Sequence, residues 1–214
     1  MSARAPGSPL RLAVLLSGSG TSLQNLIDRI DGEELRAEIA VVIASKPDAF
    51  GLERARRRGL PAVAVPRKLH PDVGAFNDGL HAELARFEID LVVLLGFLSP
   101  FEVRDRFDGR AINVHPALVP AFSGRGYYGH RVHEAVIESS VKLSGATVHF
   151  VDAEYDHGPI ILQEAVPVLD DDTPDSLASR VQEVERRLVP EAIRLFADGR
   201  LRIEGRRVRI LPQR

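Results

Sequence analysis

The sequence predicts an α/β protein with a doubly wound, mostly parallel sheet whose N-terminal half is Rossmann-like. Apolar runs alternate with segments of helical period as far as His115, which is the repeated strand and helix pattern of a parallel sheet covered on both faces. The first run leads into a glycine loop and then a helix. In such a sheet, short right-handed connections bring the carboxyl ends of the strands to one edge, where ligands bind.

Composition bounds the class of protein. The 214 residues, 44% hydrophobic and 27% charged, supply a core for one α/β domain over residues 1–214. The formal net charge of -2 gives no global field that favours nucleic acid. The absence of cysteine excludes disulfides, thiolate metal ligands and cysteine nucleophiles, and makes the cytoplasm the expected compartment. No apolar run approaches the ~20 residues that span a bilayer, so we expect no membrane partner.

The N-terminal half alternates strands with helices. Residues 1–10, rich in Pro, Gly and Ser, predict a loose arm. Strands are expected at residues 12–16, 39–44, 62–65 and 90–95, and helices at residues 22–30, 49–58 and 75–87. Gly59 is expected to end the second helix, and Pro66 to close the third strand.

The C-terminal half adds shorter elements. We expect a short helix at 99–107, a fifth strand at 110–115, a helix from about residue 131, strands at 144–151 and 160–168, a helix at 174–196 and a hairpin at 199–211. Pro190 either kinks the last helix or starts a new one. Gly205 is expected in the turn of the hairpin. The segment from Gly124 to His130 is either a lid over a substrate or a surface loop.

The first loop, S-G-S-G-T-S, is a candidate anion site. Free backbone N–H groups and the positive end of the following helix dipole meet there, and phosphate suits such a site. The loop lacks the lysine of a P-loop and fits the dinucleotide fingerprint poorly. A tight turn capped by Ser or Thr is the alternative. An arginine cluster on the next helix, Arg54 with Arg56 to Arg58, is interpreted as a solvated face and not as an RNA patch.

Asn113 and His115 stand two residues apart on the fifth strand, so their side chains share one face. Together they offer an oxyanion donor beside a proton carrier; alternatively they satisfy each other or a turn. Asp156, on a loop that continues with Gly158 and Pro159, is the carboxylate expected to pair with His115 and raise the pKa of its ring. The alternative for Asp156 is a turn aspartate that caps its own loop.

Four segments occur in the order seen in the phosphoribosylglycinamide formyltransferase family: S-G-S-G-T-S-L-Q, N-V-H-P-A-L-V-P, S-G-A-T-V-H-F-V and D-H-G-P-I-I-L-Q. The chain resembles that family along nearly its whole length. The H-P-x-L-x-P element is shared with the wider formyltransferase and hydrolase superfamily, and the first glycine loop narrows the choice. The resemblance implies the formyltransferase fold and no metal.

The resemblance also implies an activity, the transfer of a formyl group from 10-formyltetrahydrofolate to the amine of N1-(5-phospho-D-ribosyl)glycinamide in purine biosynthesis. Asn113 would hydrogen-bond the formyl oxygen. His115 would act as general acid and stabilise the oxyanion. Asp156 would hold the imidazole charged and help relay the proton that the amine loses. Residues 11–98 would then form the phosphate-binding half, and residues 99–214 the catalytic and folate-binding half.

Binding residues follow from the same resemblance. Gly20, Thr21 and Ser22 match the family's substrate-phosphate loop, while Glu185 and Gln182 match its positions for the ribose or glycinamide portion. Phe97, Leu98 and Asn113 would line the folate site. This chain departs from the family after Gly96, where G-F-L-S-P-F-E is shorter and lacks an arginine. A folate-contacting arginine of the family falls near Val73, so Arg67 or Lys68 would substitute.

Several alternatives remain open from the sequence. They are a formyltransferase that acts on another amine, such as an amino sugar nucleotide, a hydrolase of formyltetrahydrofolate, and a nucleotide-binding module without chemistry. His130, His133 and His149 suggest a metal site, but no cysteine or carboxylate stands at ligand spacing. We therefore predict no metal site. His149 either faces the active-site edge or is a core histidine. Small molecules are the expected partners of a monomer or homodimer.

Overall fold

A single mixed sheet organises the computed structural model, which describes residues 8–213. Within that range the nine strands follow the order β3-β2-β1-β4-β5-β6-β7-β9-β8. Strands β1 to β5 pair in parallel, β6 runs antiparallel to both β5 and β7, and β8 and β9 form the terminal hairpin. The strands are β1 Leu10–Leu16, β2 Ala37–Ala44, β3 Ala62–Ala64, β4 Leu91–Leu94, β5 Ala111–His115, β6 Leu143–Phe150, β7 Ile160–Pro167, β8 Leu201–Glu204 and β9 Arg207–Ile210. The predicted fold class is confirmed.

Helices cover both faces of this sheet. They are α1 Thr21–Asp31, α2 Phe50–Arg57, α3 Val73–Ala85, α4 Arg104–Phe107, α5 His130–Glu138 and α6 Pro174–Ala197, with a 3-10 turn at Arg67–Leu69. Pro190 is buried inside α6 and does not start a new helix. Among the residues described, no helix is both long and apolar enough to cross a membrane.

Two expectations about element limits were wrong. The predicted helix at 99–107 is reduced to Arg104–Phe107, because Pro100 disfavours a helical residue before it and the Asn77 side chain binds the backbone that precedes the helix. The Asn77 side chain donates to the Pro100 carbonyl at 3.3 Å and accepts from the Glu102 amide at 2.9 Å. At the N-terminus, Leu10 already belongs to β1 and is buried. Residues 1–7 of the predicted arm lie outside the described residues.

The first strand shows why its sequence is apolar throughout. Leu12, Val14 and Leu16 pack into the core cluster that contains α1 and α6, while Ala13 and Leu15 pack into the cluster on the other face with α3. Side chains alternate between the faces of a strand, so a strand covered on both sides needs apolar residues at every position. The glycine loop that follows β1 is therefore mounted on a rigid element.

The carboxyl ends of β1, β4 and β5 meet at one edge, as predicted. After β1, the Ser17 amide donates to the Gly96 carbonyl at 3.1 Å, and the Leu98 amide donates to the Ser17 hydroxyl at 2.8 Å. After β5, Thr147 of β6 donates to the Ala117 carbonyl at 2.6 Å and accepts from the Val119 amide at 3.1 Å. These bonds fix the three loops around one opening.

Candidate active site

Strand β5 carries the predicted pair of side chains. Asn113 and His115 lie opposite His149 and Thr147 of β6, while Ile112 and Val114 pack into the core on the other face. Asn113 is half-buried and His115 is 3% exposed. The alternation read from the sequence is therefore confirmed, and both polar side chains face Asp156 in the loop that follows β6.

Asp156 completes a cluster with this pair. Its carboxylate accepts from the Asn113 amide at 3.2 Å and from the Gly124 backbone amide at 3.0 Å, and it lies 3.3 Å from His115 Nδ1. The aspartate that caps the loop is Asp152 and not Asp156, because Asp152 accepts from the Glu154 amide at 2.9 Å within the loop. Asp156 instead points out of its own loop and towards β5.

Gly158 lets this loop lie directly against β6. A Cβ atom at Gly158 would stand 1.8 Å from the Phe150 carbonyl oxygen, so only glycine fits there. The close approach places Asp156, which has a positive φ of 53°, beside His115. In the D-H-G-P sequence the aspartate supplies the carboxylate, and the glycine allows the loop to approach β6 closely enough to place it.

His115 has acceptors at both ring nitrogens. Its Nε2 donates to the Phe122 carbonyl at 2.8 Å, while its Nδ1 faces the Asp156 carboxylate at 3.3 Å. Burial lowers the pKa of His115 below its ordinary value, and the Asp156 charge and the Phe122 carbonyl offset this shift only in part. Asp156 acts to raise the pKa of the ring, as expected, but the expected net rise was wrong because burial outweighs the ion pair.

Asp156 itself stays ionised. Burial acts to raise its pKa, but His149, the charge of His115 and the Gly124 amide together outweigh burial and lower it. The carboxylate thus remains available to stabilise a proton on His115 whenever the ring takes one up.

His149 is a member of the site whose role the sequence left undecided. It is 2% exposed, and its Nδ1 donates to the Phe150 carbonyl at 2.8 Å. Its Nε2 is then left to accept from the Asn113 amide nitrogen at 3.2 Å. Asn113 therefore directs its NH2 group at His149 and Asp156, and exposes its carbonyl oxygen. A donor bond from Asn113 to a formyl oxygen requires sharing or exchanging one of these bonds.

A cavity of about 780 Å³ opens beside the cluster and has the size of a small-molecule site. Asn113, His115 and Asp156 line it, together with Phe97 and Leu98. Gly124 to Gly129 also line it, so this loop borders the site. Arg67 does not line the cavity, because its guanidinium donates to the His70 carbonyl at 3.0 Å and lies over the Phe76 ring. The structure thus brings together the predicted residues of the folate site except Arg67.

The glycine loop after β1 forms a separate part of the site, since Gly20, Thr21 and Ser22 do not line this cavity. Gly20 is the N-cap of α1, with φ 70°, and no side chain caps the helix. The alternative of a Ser or Thr cap was therefore wrong. Within residues 8–213, the backbone amides of Thr21 and Ser22 have no hydrogen-bond acceptor. These free donors, at the positive end of a helix dipole, suit an anion.

Glu185 lies on α6 next to α1. The two helices are joined here by the Asn25 side chain, which donates to the Arg186 carbonyl at 3.1 Å. Burial raises the pKa of Glu185 to about 7, and Arg186 lowers it only slightly. No donor or cation pairs with Glu185 among the residues described. Gln182, one turn earlier, is exposed, and neither residue lines the cavity.

The three histidines considered for a metal site have separate surroundings. His130 is exposed and lies 3.6 Å from both Glu134 and Asp175. His133 is buried without a partner for its Nδ1, and burial lowers its pKa to about 4. In the described part of the chain, no three His, Cys, Asp or Glu side chains are grouped to hold a metal ion.

Known proteins resemble this chain in sequence and in fold. The formyl transferase family model matches residues 10–193. A phosphoribosylglycinamide formyltransferase from Haemophilus influenzae is 36% identical over 91% of this chain and 90% of its own length. The chloroplastic phosphoribosylglycinamide formyltransferase of Vigna unguiculata is 37% identical over 89% of this chain, which spans only 62% of that protein.

The structural match is equally extensive. Glycinamide ribonucleotide transformylase 1 from Symbiobacterium toebii superposes with a TM-score of 0.87 and 46% identity over 96% of both chains. The family match runs through most of this chain, and the bacterial relative is matched over nearly its whole length. The chain therefore belongs to the formyl transferase family and, within it, to the phosphoribosylglycinamide formyltransferases.

Proposed function

We propose that this protein transfers the formyl group of 10-formyltetrahydrofolate to the amine of N1-(5-phospho-D-ribosyl)glycinamide in de novo purine biosynthesis. The observation that carries the proposal is the cluster of Asn113, His115 and Asp156 on the wall of a cavity that Phe97 and Leu98 also line. Family membership supplies the substrate class, and the free amides at Thr21 and Ser22 supply a place for the phosphate.

The chain's residues divide the acyl transfer between them. As the amine nitrogen bonds to the formyl carbon, negative charge develops on the formyl oxygen. Asn113 donates to that oxygen by sharing an amide hydrogen now directed at His149 or Asp156. His115, whose Nε2 now donates to the Phe122 carbonyl, turns the same donor to the reacting atoms. The bond from the formyl carbon to N10 of the folate then breaks.

Proton movement runs through His115 and Asp156. The attacking amine loses a proton, and the folate nitrogen gains one as it leaves, so a group that can hold a proton between the two events is needed. His115 is that group, because burial alone would keep the ring neutral and the Asp156 carboxylate stabilises it when charged. Asp156 thus acts as the counter-ion and orients Nδ1.

Two walls hold the substrates. The pterin end of the folate would pack on Phe97 and Leu98, beside Asn113. The ribonucleotide would place its phosphate on Gly20, Thr21 and Ser22, and would direct ribose hydroxyls or the glycinamide portion at Glu185 and Gln182. We propose accordingly that residues 11–98 form the phosphate-binding half and residues 99–214 the catalytic and folate-binding half of one domain.

The remaining expectations stay part of this proposal. They are action on small molecules in the cytoplasm by a monomer or homodimer, without a bound metal, a nucleic acid or a membrane.

The direct assay mixes the purified protein with both substrates and follows formylated product by mass spectrometry. We expect stoichiometric formylated ribonucleotide and tetrahydrofolate. Asn113→Ala should lower kcat by about 10²-fold to 10³-fold, the usual cost of one oxyanion donor. Ala at the exposed His130 is the matched control, with turnover close to that of the wild type.

The same assay separates the alternatives. Tetrahydrofolate released at an equal rate without the amine would identify a hydrolase. Formylation of an amino sugar nucleotide in preference to the glycinamide substrate would identify a transferase for another amine. Wild-type turnover retained in Asn113→Ala and His115→Ala together would contradict the assigned site.

A further inference from the structure

Arg54 lies against the glycine loop and not on a purely solvated face. Helix α2 approaches the loop so closely that a Cβ atom at Gly20 would stand 2.6 Å from the Gly51 Cα. The Gly51 amide donates to the Gly18 carbonyl at 3.1 Å. With glycine on both sides of this contact, Arg54, one turn after Gly51, reaches the loop.

The Arg54 guanidinium contacts the loop and the first turn of α1 at once. Its Nε donates to the Ser19 carbonyl at 2.9 Å, and one terminal nitrogen donates to the Gln24 side-chain carbonyl at 3.3 Å. Gln24 is held in turn, since its amide nitrogen donates to Asp28 at 2.8 Å. The planar guanidinium thus spans the turn from strand to helix.

This contact sets the direction of the loop amides. The carbonyls of Gly18, Ser19 and Gly20 accept from the Gly51 amide, from Arg54 and from the Gln24 amide respectively. In a planar trans peptide the C=O of one residue and the N–H of the next point in opposite directions. The first two carbonyls are bound by α2, so the N–H groups of Ser19 and Gly20 point away from α2, and Arg54 fixes the second of these.

Arg54 also keeps its charge free for a ligand. At the end of the same helix Arg57 pairs with Glu53 at 2.9 Å, and Arg58, which follows the helix, pairs with Asp31. Among residues 8–213, no carboxylate forms an ion pair with Arg54. The half-buried guanidinium stacks over Phe50 at 5.1 Å, which holds it beside the loop.

We propose that Arg54 is a positioning residue of the phosphate site, which orients the Gly20 amide and presents a positive charge to the substrate phosphate. It thereby selects a phosphorylated ribose over the free ribonucleoside. The inference rests on the proposed function in one respect, that the anion is the phosphate of the ribonucleotide. It changes the interpretation of Arg54 as one arginine of a solvated face.

Kinetics of Arg54→Gln test the inference in the full-length protein. The KM for the ribonucleotide should rise by about tenfold to a hundredfold, the range for a hydrogen bond to a charged group. The kcat and the KM for the folate should stay close to wild type. Arg54→Lys keeps the charge but cannot bind two carbonyls as a fork, so its KM for the ribonucleotide should lie between those of the wild type and Arg54→Gln.

A substrate without phosphate separates selection from a structural role. With the corresponding ribonucleoside, Arg54→Gln and the wild type should turn over equally slowly. This substrate has no phosphate, so neither protein can form the interaction between residue 54 and the phosphate. Arg57→Gln is the matched control, since Arg57 also lies over Phe50 but pairs with Glu53. Equal losses on ribonucleotide and ribonucleoside, or equal losses in Arg54→Gln and Arg57→Gln, would overturn the inference.

Calorimetry with ribose 5-phosphate tests Arg54 independently of turnover. The wild type should bind this probe about tenfold or more tightly than Arg54→Gln. Equal affinities, or no binding to the wild type, would contradict the role of Arg54. Binding that depends on Arg54 in a protein that fails to formylate the ribonucleotide would support the inference and refute the proposed function instead.

Discussion

Replacing Glu185 with Gln should stabilise the ligand-free protein above neutral pH while weakening its binding of the ribonucleotide. The carboxylate has no donor or cation among the described residues, and burial raises its pKa to about 7. In the unfolded chain the same group ionises near its ordinary value of 4.5. The folded protein therefore holds a charge in poor solvation at neutral pH and above.

The sign and size of the effect follow from the two pKa values. Between 4.5 and about 7 the folded state binds more protons than the unfolded state, so the free energy of unfolding falls as pH rises. The full shift from 4.5 to about 7 corresponds to about 3 kcal/mol at most. Gln carries no charge, so Glu185→Gln should match the wild type near pH ~4 and gain up to that amount by pH ~8.

Urea unfolding of both proteins across this pH range measures the difference directly, and other titrating groups cancel in the comparison. Glu183→Gln is the matched control, because Glu183 is exposed on the same helix and paired with Arg186. A difference between Glu185→Gln and the wild type that does not change with pH would refute the reasoning. The KM for the ribonucleotide should rise about tenfold in the variant with little change in kcat, since a lost charge-assisted bond costs about 1.5–3 kcal/mol.

Two further predictions concern the loop that carries Asp156. Asp156→Asn should lower turnover by about 10²-fold or more, because no carboxylate then stabilises a proton on His115, and the pKa of His115 should fall further, as seen by NMR titration. Asp152→Asn is the control, because Asp152 contacts the Glu154 amide and the His157 ring within its own loop and does not contact His115. Gly158→Ala should destabilise the fold by about 1–3 kcal/mol or more in urea unfolding, because its Cβ meets the Phe150 carbonyl. Gly18→Ala, with open space around its Cβ, should unfold close to wild type.

The local sequence pattern predicted the strands and helices better than it predicted which side chains meet in the folded protein. The apolar run of β1 and the two-residue spacing of Asn113 and His115 depend on strand geometry alone, and both were confirmed. The antiparallel pairing of β6 with β5, which places His149 against Asn113, is a contact between distant segments, and local periodicity does not encode it. Asp156 was chosen as the partner of His115 because Gly158 and Pro159 follow it, although the same position also allowed a turn aspartate.

Burial explains the errors about charge. The pKa of His115 was expected to rise, because the sequence shows a carboxylate partner but not how little water reaches the ring. Arg54 was assigned to a solvated face, because the arginines alternate with Leu52, Ala55 and Leu60 along the helix. The approach of Gly51 to Gly20 instead turns this one arginine towards the loop. In both cases a long-range contact determined the environment of the charge.

Asp156 and Glu185 show how the two walls of the site differ. Asp156 receives donors from the protein itself, so its carboxylate is stabilised before any ligand arrives. Glu185 receives none from the part of the chain that the structure describes, and burial raises its pKa. A substrate that supplies hydroxyl or amine donors to Glu185 lowers that pKa, so it binds the ionised carboxylate more tightly than the protonated one. Binding should therefore stabilise the protein more at pH ~8, where Glu185 is ionised, than at pH ~5, where it must first lose a proton. On the proposed function, the catalytic wall is thus organised in advance, whereas the substrate wall would be completed by the ribonucleotide.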